Sequence, residues 1–360
     1  MKHIVVFEDI EAKRIELIRR LKQRLRGKAS VEWIDGEGAQ VMDRTYESQL
    51  KEEMKKYPPG KALVICDKDL SGMIPKYPGL SASTVAAAVD EIGHHPICLY
   101  ARGERQKGEE FLRSLAPWEK KRIILDFKGE EDLAADCVKI FKGFHKIDSS
   151  YSSLKKKRST PAQALSEILG KPEIVDSIAL YGSGEQGLLE DIMPFIKGLS
   201  GKKINEELGK RMPRILGNWL YTSILRFPGI LVNEIAAASY LNIHLKDFTK
   251  PSIQKIFSSA KYKGPFAEMG QWWWRHELDD ILINNECKDG FDLANKKRLR
   301  LKPCKDEQSN ERAGFYCMVT EKPVSEKNSR GSISWFPSGA DLTRIRKDKF
   351  NELAPWIGLY

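Results

Sequence analysis

The residues of this chain best suited to chemistry are acids at the ends of apolar runs. In ALVICDKD, the apolar-leaning residues Ala62–Cys66 lead straight into Asp67, and Asp69 follows two positions on. HIVVFED ends on Glu8 and Asp9, and RIILDFKG delivers Lys128 after a third apolar run. A short continuous apolar run closed by a turn signal predicts a strand buried on both faces. Each of these groups then sits at the carboxyl end of a strand, the edge where open parallel sheets place their chemistry. Carboxylates gathered at one edge repel one another. A divalent cation with a preference for oxygen, such as Mg²⁺, relieves that repulsion and keeps several of its waters.

The elements that must position these groups alternate in kind. Strands are predicted at His3–Phe7, Ser30–Ile34, Ala62–Cys66, Pro96–Tyr100 and Arg122–Leu125. Helices are predicted at Glu11–Arg26, Gln40–Lys56, Ser83–Ile92, Glu104–Leu115 and Glu130–His145. The first helix shows an apolar stripe of Ile15, Ile18, Leu21 and Leu25 at helical spacing. Such alternation predicts an α/β fold, a parallel sheet with helices on both faces and right-handed crossovers.

This arrangement resembles the receiver domain of two-component response regulators over roughly the first 145 residues. The resemblance implies a flavodoxin-like sheet of order 2-1-3-4-5, which brings the ends of strands one and three together. Glu8 and Asp9 match the family's metal-binding acid pair, Asp67 its phosphoacceptor, and Lys128 the lysine that pairs with the phosphoryl group. Asp69 falls where a backbone carbonyl completes the metal shell, and Ser71-Gly72 on the small turn that follows. Mg²⁺ is the implied cofactor, and a histidine kinase or small phosphodonor the implied partner. The sequence departs from the family at three places. Tyr100 replaces the switching hydroxyl residue, although the small Ala101 follows as expected. Leu125 replaces the aromatic, and Gly129 replaces a proline. Tyr100 is too long to copy the family's switching motion, though its phenol can donate from farther away.

Composition bounds the rest. With 360 residues, 41% of them hydrophobic and 31% charged, the chain is globular and long enough for two domains. The net charge of +10 permits contact with nucleic acid or anionic surfaces, and plain solubility explains it equally well. The opening MKHIVVFED is too short for a signal-peptide core, and no apolar run approaches membrane-spanning length. The six scattered cysteines then read as reduced thiols in a cytoplasmic protein.

The expected domains are a receiver-like phosphoacceptor at 1–147, a linker at 148–161, a helical output or interaction domain at 162–284, and a small α+β region at 285–360. The linker is Ser-rich and carries a Lys-Lys-Lys-Arg run, read as a solvated hinge. YGSGEQG formally matches GxGxxG at Gly182, Gly184 and Gly187. It follows a helical pattern and contains Glu185, so it reads as an inter-helix turn rather than a dinucleotide cradle. Ile215–Leu225 is predicted as an apolar helix. LVNEIAAASYLNI resembles the first part of a helix-turn-helix, with Ser252–Lys261 as the helix that would enter a DNA groove; an ordinary helical bundle fits the same pattern.

In QWWWRHELDDILI, three consecutive tryptophans sweep most of a helical turn. One of them then faces an interdomain or partner surface, or wedges between the helix and the β-rich region after it. His276, Cys287, Cys304 and Cys317 could supply zinc ligands, but no CxxC knuckle supports that. Short strands are predicted at Arg298–Leu301, Gly314–Val319 and Ser332–Trp335, and KKRLRLK at 296–302 reads as a basic, solvated edge. No catalytic constellation stands out beyond the first domain.

The expectation is a two-domain signalling protein that is not otherwise an enzyme. Phosphorylation of Asp67 would control an output domain that binds DNA or protein, with homodimerisation open. The alternative is a phosphate sink or docking subunit of a multi-protein pathway, such as bacterial phage defence, built on a damped receiver.

Overall fold

Val, Ile and Leu dominate the runs that the chain buries as strands. The structure is a computed structural model and describes residues 1–34, 46–70, 81–92, 95–101, 122–154, 160–182, 202–331, 333 and 336–357. The predicted helix at 104–115, the turn at 71–72, the basic run at 155–158, Gly184 and Gly187, and all of the predicted strand at 332–335 except residue 333 lie outside the described residues. The chain divides into two compact units. One comprises Met1–Glu104, Pro117–Ile168 and Leu188–Trp219. The other comprises Arg105–Ala116, Leu169–Gly187 and Leu220–Tyr360.

The first unit holds β1 (His3–Phe7), β2 (Ser30–Trp33), β3 (Ala62–Asp67), β4 (Ile97–Ala101) and β5 (Ile123–Asp126). They form one five-stranded sheet of order β2-β1-β3-β4-β5, with every pairing parallel. This is an α/β, flavodoxin-like arrangement. All six residues of β3 are buried, as a central strand covered on both faces requires. Val5, Phe7, Val64, Cys66, Ile97 and Leu99 pack on one face of the sheet with α2 (Tyr46–Lys55) and α3 (Ala82–Ile92). Helix α1 (Glu11–Leu25) buries Leu17, Leu21 and Leu25. The stripe is therefore the Leu i, i+4, i+8 row. Ile15 of the expected stripe is 58% exposed, and Ile18 is half-buried.

Helix α4 (Glu130–Leu154) is longer than the sequence suggests. At a rise of 1.5 Å per residue it spans about 37 Å, which carries it past the sheet. The first residues of the expected 148–161 linker are thus helical. A row of buried side chains from Leu133 to Ile147 keeps the helix on the protein and continues it. Asp148 receives Lys61, which stands just before β3. Helix α5 (Pro161–Ile168) and helix α7 (Lys202–Trp219), with α6 (Val175–Tyr181) of the second unit between them in sequence, follow.

Helix α7 belongs to the first unit, although the sequence suggests a place in the helical output domain. Gly217 explains how it docks: a Cβ there would lie 2.2 Å from Cε1 of Phe144 on α4, so only glycine lets the two helices approach this closely. Asp90 at the end of α3 pairs with both Arg122, just before β5, and Arg214 of α7. These contacts all lie at the amino edge of the sheet. The helices added to the five-stranded core therefore cover the pole opposite the strand ends that carry the acids.

In the second unit, β6 (Leu231–Asn233) leads into α8 (Glu234–Tyr240), α9 (Leu245–Phe248) and α10 (Pro251–Ile256), then β7 (Trp272–Trp274), α11 (Arg275–Asn284) and α12 (Gly290–Lys296). The expected helix Ser252–Lys261 is shorter: Pro251 starts it, and it ends at Ile256. The expected helix 215–225 changes character at Leu220, where a π-helical turn runs to Ile224. The three tryptophans form a strand rather than a helix, paired antiparallel with β6. A strand sends alternate side chains to opposite faces, so neighbouring tryptophans need not share one environment. Trp273 packs edge-on to Phe248 and Trp274 edge-on to Tyr262, while the Trp272 indole donates to the Leu225 carbonyl at 3.0 Å.

The last part of the chain forms a four-stranded sheet, β10-β11-β8-β9, from β8 (Phe315–Cys317), β9 (Lys322–Val324), β10 (Ser329–Arg330) and β11 (Thr343–Arg346), followed by α13 (Lys347–Ile357). Arg298–Leu301, expected as a strand, is a turn and an extended segment that pairs with no strand. Buried Asp306 organises the loops: its carboxylate accepts from the Ser325 and Gln308 backbone amides, the Ser325 hydroxyl and the Asn328 amide. All six cysteines are free thiols. Among the described residues no group of three His, Cys, Asp or Glu side chains is gathered that could hold a metal, the candidate zinc set included. No described helix is long and apolar enough to cross a membrane.

Candidate functional site

Register builds the site. Phe7 lies opposite Cys66, and Asp67 lies opposite Tyr100. Glu8, the residue after Phe7, therefore falls in the same row as Asp67 and Tyr100 across three neighbouring strand ends. In a parallel sheet such a row shares one face. All three side chains are buried: Glu8 is 0%, Asp67 2% and Tyr100 0% exposed. Asp9 is half-buried beside them. Burial first, then the charges of Asp67 and Glu8, push the Cys66 thiol well above its ordinary pKa, against the nearby Arg122.

Hydrogen bonds fix the acids. One Glu8 oxygen accepts the Ile10 backbone amide at 3.1 Å, and the other accepts the Tyr100 hydroxyl at 2.6 Å. The phenol thus reaches across β3 to close on β1. Asp67 Oδ1 accepts the Asp69 backbone amide at 3.0 Å, a local turn that orients the carboxylate. The Lys68 amide donates to the Tyr100 carbonyl at 2.7 Å, holding the β3–β4 edge together one residue past the strand.

The sequence-predicted residues are brought together in part. Glu8, Asp9, Asp67, Asp69 and Tyr100 share the carboxyl edge. Lys128 stands at that edge too, beyond β5, but it is exposed and makes no ion pair with Asp67 or Glu8. Two departures from the receiver pattern acquire a physical reason. Gly129 has φ +146°, which proline cannot adopt. The aromatic missing at Leu125 is supplied two residues on by Phe127, whose ring stacks on Tyr100 with centroids 6.3 Å apart. Phe127 follows directly on β5, so an aromatic was present in the sequence at an offset of two from Leu125.

The all-oxygen donor set has the chemistry Mg²⁺ requires. The geometry is not that of a gathered cage: no three acids close on one point among the described residues, and Tyr100 holds Glu8. Removing that phenol has a predictable cost. Tyr100→Phe leaves a buried Glu8 oxygen without its hydroxyl donor, and the expected loss is about 1–3 kcal/mol of stability in metal-free buffer, measured by urea unfolding.

Comparison with known proteins finds no match: no family model, no curated protein and no solved structure matches the chain. The fold and the site define a flavodoxin-like α/β unit with a buried acidic row at its carboxyl edge, joined to a second unit of mixed helices and short strands.

Proposed function

We propose that the first unit is a receiver-like phosphoacceptor domain in a signalling protein, with Asp67 as the nucleophile. The observation that carries this reading is the buried row Glu8–Asp67–Tyr100 at adjacent ends of a 2-1-3-4-5 sheet. The Asp69 amide holds one Asp67 oxygen, and the other attacks the phosphorus of a donor such as acetyl phosphate. The new P–O bond to the carboxylate forms as the bond to acetate breaks, and acetate leaves. Asp9 and Asp67, with Glu8 through water and the Asp69 carbonyl, would hold Mg²⁺, which supplies positive charge against the transferring oxygens. Lys128, a cation on that edge, pairs with the bound phosphoryl group as a point charge.

The Tyr100–Glu8 bond gives this reading a distinctive test. Tyr100→Phe releases Glu8 toward the metal side, so Mg²⁺ should raise the melting temperature of the variant by more than that of the wild type. An equal shift in both proteins means that the phenol does not oppose metal binding.

The same bond, and the lack of an ion pair from Lys128 to either buried acid, favour a second reading. In it the unit is a damped receiver that docks partners in a multi-protein pathway, such as bacterial phage defence. Phosphate uptake from acetyl phosphate with Mg²⁺ separates the two.

For the second unit we propose an output surface that binds nucleic acid in preference to protein. Lys246, Lys297, Arg298, Arg300 and Lys302 are all exposed, and none has an ion pair among the described residues. Asp247 ties the Lys302 backbone to the segment that carries Lys246: Oδ1 accepts Lys250 Nζ at 2.6 Å and Oδ2 the Lys302 backbone amide at 2.9 Å, while the Lys302 carbonyl accepts the His244 amide at 2.8 Å. The bond from Lys250, then the bond from the Lys302 amide, lower the Asp247 pKa. The carboxylate thus stays ionised, and the clamp weakens only as pH falls through that lowered value. Binding to duplex DNA should fall steeply with salt. Lys297→Glu with Arg298→Glu should reduce the salt slope by about 2, read by fluorescence anisotropy. A flat salt dependence returns the unit to protein binding.

A further inference from the structure

A groove of about 910 Å³ opens between α1 and α4, on the flank of the first unit rather than at its acidic edge. That volume lies within the range of small-molecule sites, roughly 300–1,000 Å³. It is concave, which suits a small ligand better than a flat protein partner. Leu25, Val138 and Phe141, all buried apolar residues, line its floor. Arg20, Arg24, Arg26, Lys28 and Lys142 line its walls, and Glu131 is the single carboxylate among the lining residues.

The charges are arranged unequally. Glu131 pairs with both Arg20 and Arg24. Arg26 and Lys28 make no ion pair among the described residues. Arg26 also holds φ +48° at the end of α1, a left-handed position that ordinarily goes to glycine, and Gly27 follows at φ +76°. The chain thus keeps a guanidinium at the groove where a glycine would sit with less strain. His145 adds a planar surface: its ring is exposed and stacks on Phe141, centroids 6.5 Å apart and planes 12° from parallel.

We propose that this groove binds a nucleotide, with the arginines and lysines taking the phosphates and the apolar floor and His145 ring taking the base. Glu131 occupies the two arginines in the empty groove. A bound phosphate displaces it, because a guanidinium fork satisfies phosphate oxygens as well as carboxylate ones. Stacking on the ring and burial against the floor then distinguish a nucleotide from a bare anion. The site is independent of phosphate transfer at Asp67, so either reading can fail alone.

The test is calorimetric titration of the full chain, at low salt, with ATP and GTP as probes and pyrophosphate and adenosine in parallel. At least one nucleotide should bind at least tenfold more tightly than pyrophosphate or adenosine. Arg26→Gly removes the guanidinium and relieves the left-handed position, so the protein stays folded. Combined with Lys28→Glu, it should lower nucleotide affinity at least tenfold. Glu131→Gln breaks two surface pairs, to half-buried Arg20 and exposed Arg24, of a kind that contributes little to stability, and should raise affinity several-fold by freeing both arginines. Asp67→Asn should leave nucleotide affinity unchanged. Three results overturn the proposal: no binding of either nucleotide, pyrophosphate binding as tightly as the nucleotides, or charge variants that bind like the wild type. Capture of an acidic protein that nucleotides fail to displace also counts against it.

Discussion

Asp67→Asn protein, folded and supplied with acetyl phosphate and Mg²⁺, should take up no phosphate, while the wild type should be labelled at residue 67. The expected effect is complete because the substitution removes the attacking atom. An amide oxygen is a poor nucleophile beside a carboxylate, and a phosphorylated amide is not the acyl phosphate this chemistry makes. The fold should survive. Asparagine keeps the size of the side chain, and its carbonyl oxygen can still accept the Asp69 amide that Asp67 Oδ1 accepts at 3.0 Å. Intact-mass spectrometry with and without donor reads the result directly. Asp9→Ala should slow labelling without unfolding the sheet, since Asp9 is half-buried and lies outside the strands. Lys128→Ala should still be labelled, because Lys128 is exposed and makes no ion pair with Asp67. If the wild type itself takes up no phosphate from acetyl phosphate or a cognate kinase, the phosphoacceptor reading fails. The docking reading then stands on the Tyr100–Glu8 bond.

The sheet was legible in the sequence because its central strands are buried on both faces. Ala62–Asp67 has no polar interruption until its last residue, so its apolar run fixes both the strand and the place of Asp67. The strand order came from the resemblance to receivers, and the β1–β3 and β3–β4 registers realise it. What Tyr100 does was not legible. Its hydroxyl could be foreseen as a donor, but whether it would reach a phosphoryl group or an acid depends on a bond across β3, between residues 92 positions apart in the chain. The place of α7 was hidden for a related reason. Its docking depends on Gly217 admitting Phe144 and on Asp90 receiving Arg214, and no local periodicity reports such pairings. The tryptophan run reads as helix only because the helical spacing of RHELDDILI extends backward across it. Three bulky aromatics in succession favour strand over helix, and β6 is there to pair with them.

That strand also carries the largest expected stability effect. Trp273→Ala should destabilise the protein by about 3–5 kcal/mol, read by denaturant unfolding followed in the far ultraviolet. Trp273 is 0% exposed and packs edge-on to Phe248 with centroids 5.0 Å apart, in a core with Val232, Ile253 and Leu278. Alanine leaves a cavity among helices α8 to α11 that elements of four to ten residues cannot close without losing their own packing. Trp273→Phe should cost far less. The buried indole nitrogen of Trp273 has no hydrogen-bond partner, so the ring is held by packing and by the Lys261 ammonium over its face, 5.9 Å from the centroid, and not by a hydrogen bond. Replacing it with phenylalanine removes an unsatisfied donor along with part of the ring. Trp272→Ala should fall between the two, since Trp272 is half-buried and its indole satisfies the Leu225 carbonyl. From most to least destabilised, the expected order is Trp273→Ala, Trp272→Ala, Trp273→Phe. If Trp273→Ala unfolds no more easily than Trp272→Ala, the tryptophan strand is not the keystone of this core. Loss of nucleic-acid or partner binding in a tryptophan variant then has to be read as loss of a surface, not of the fold.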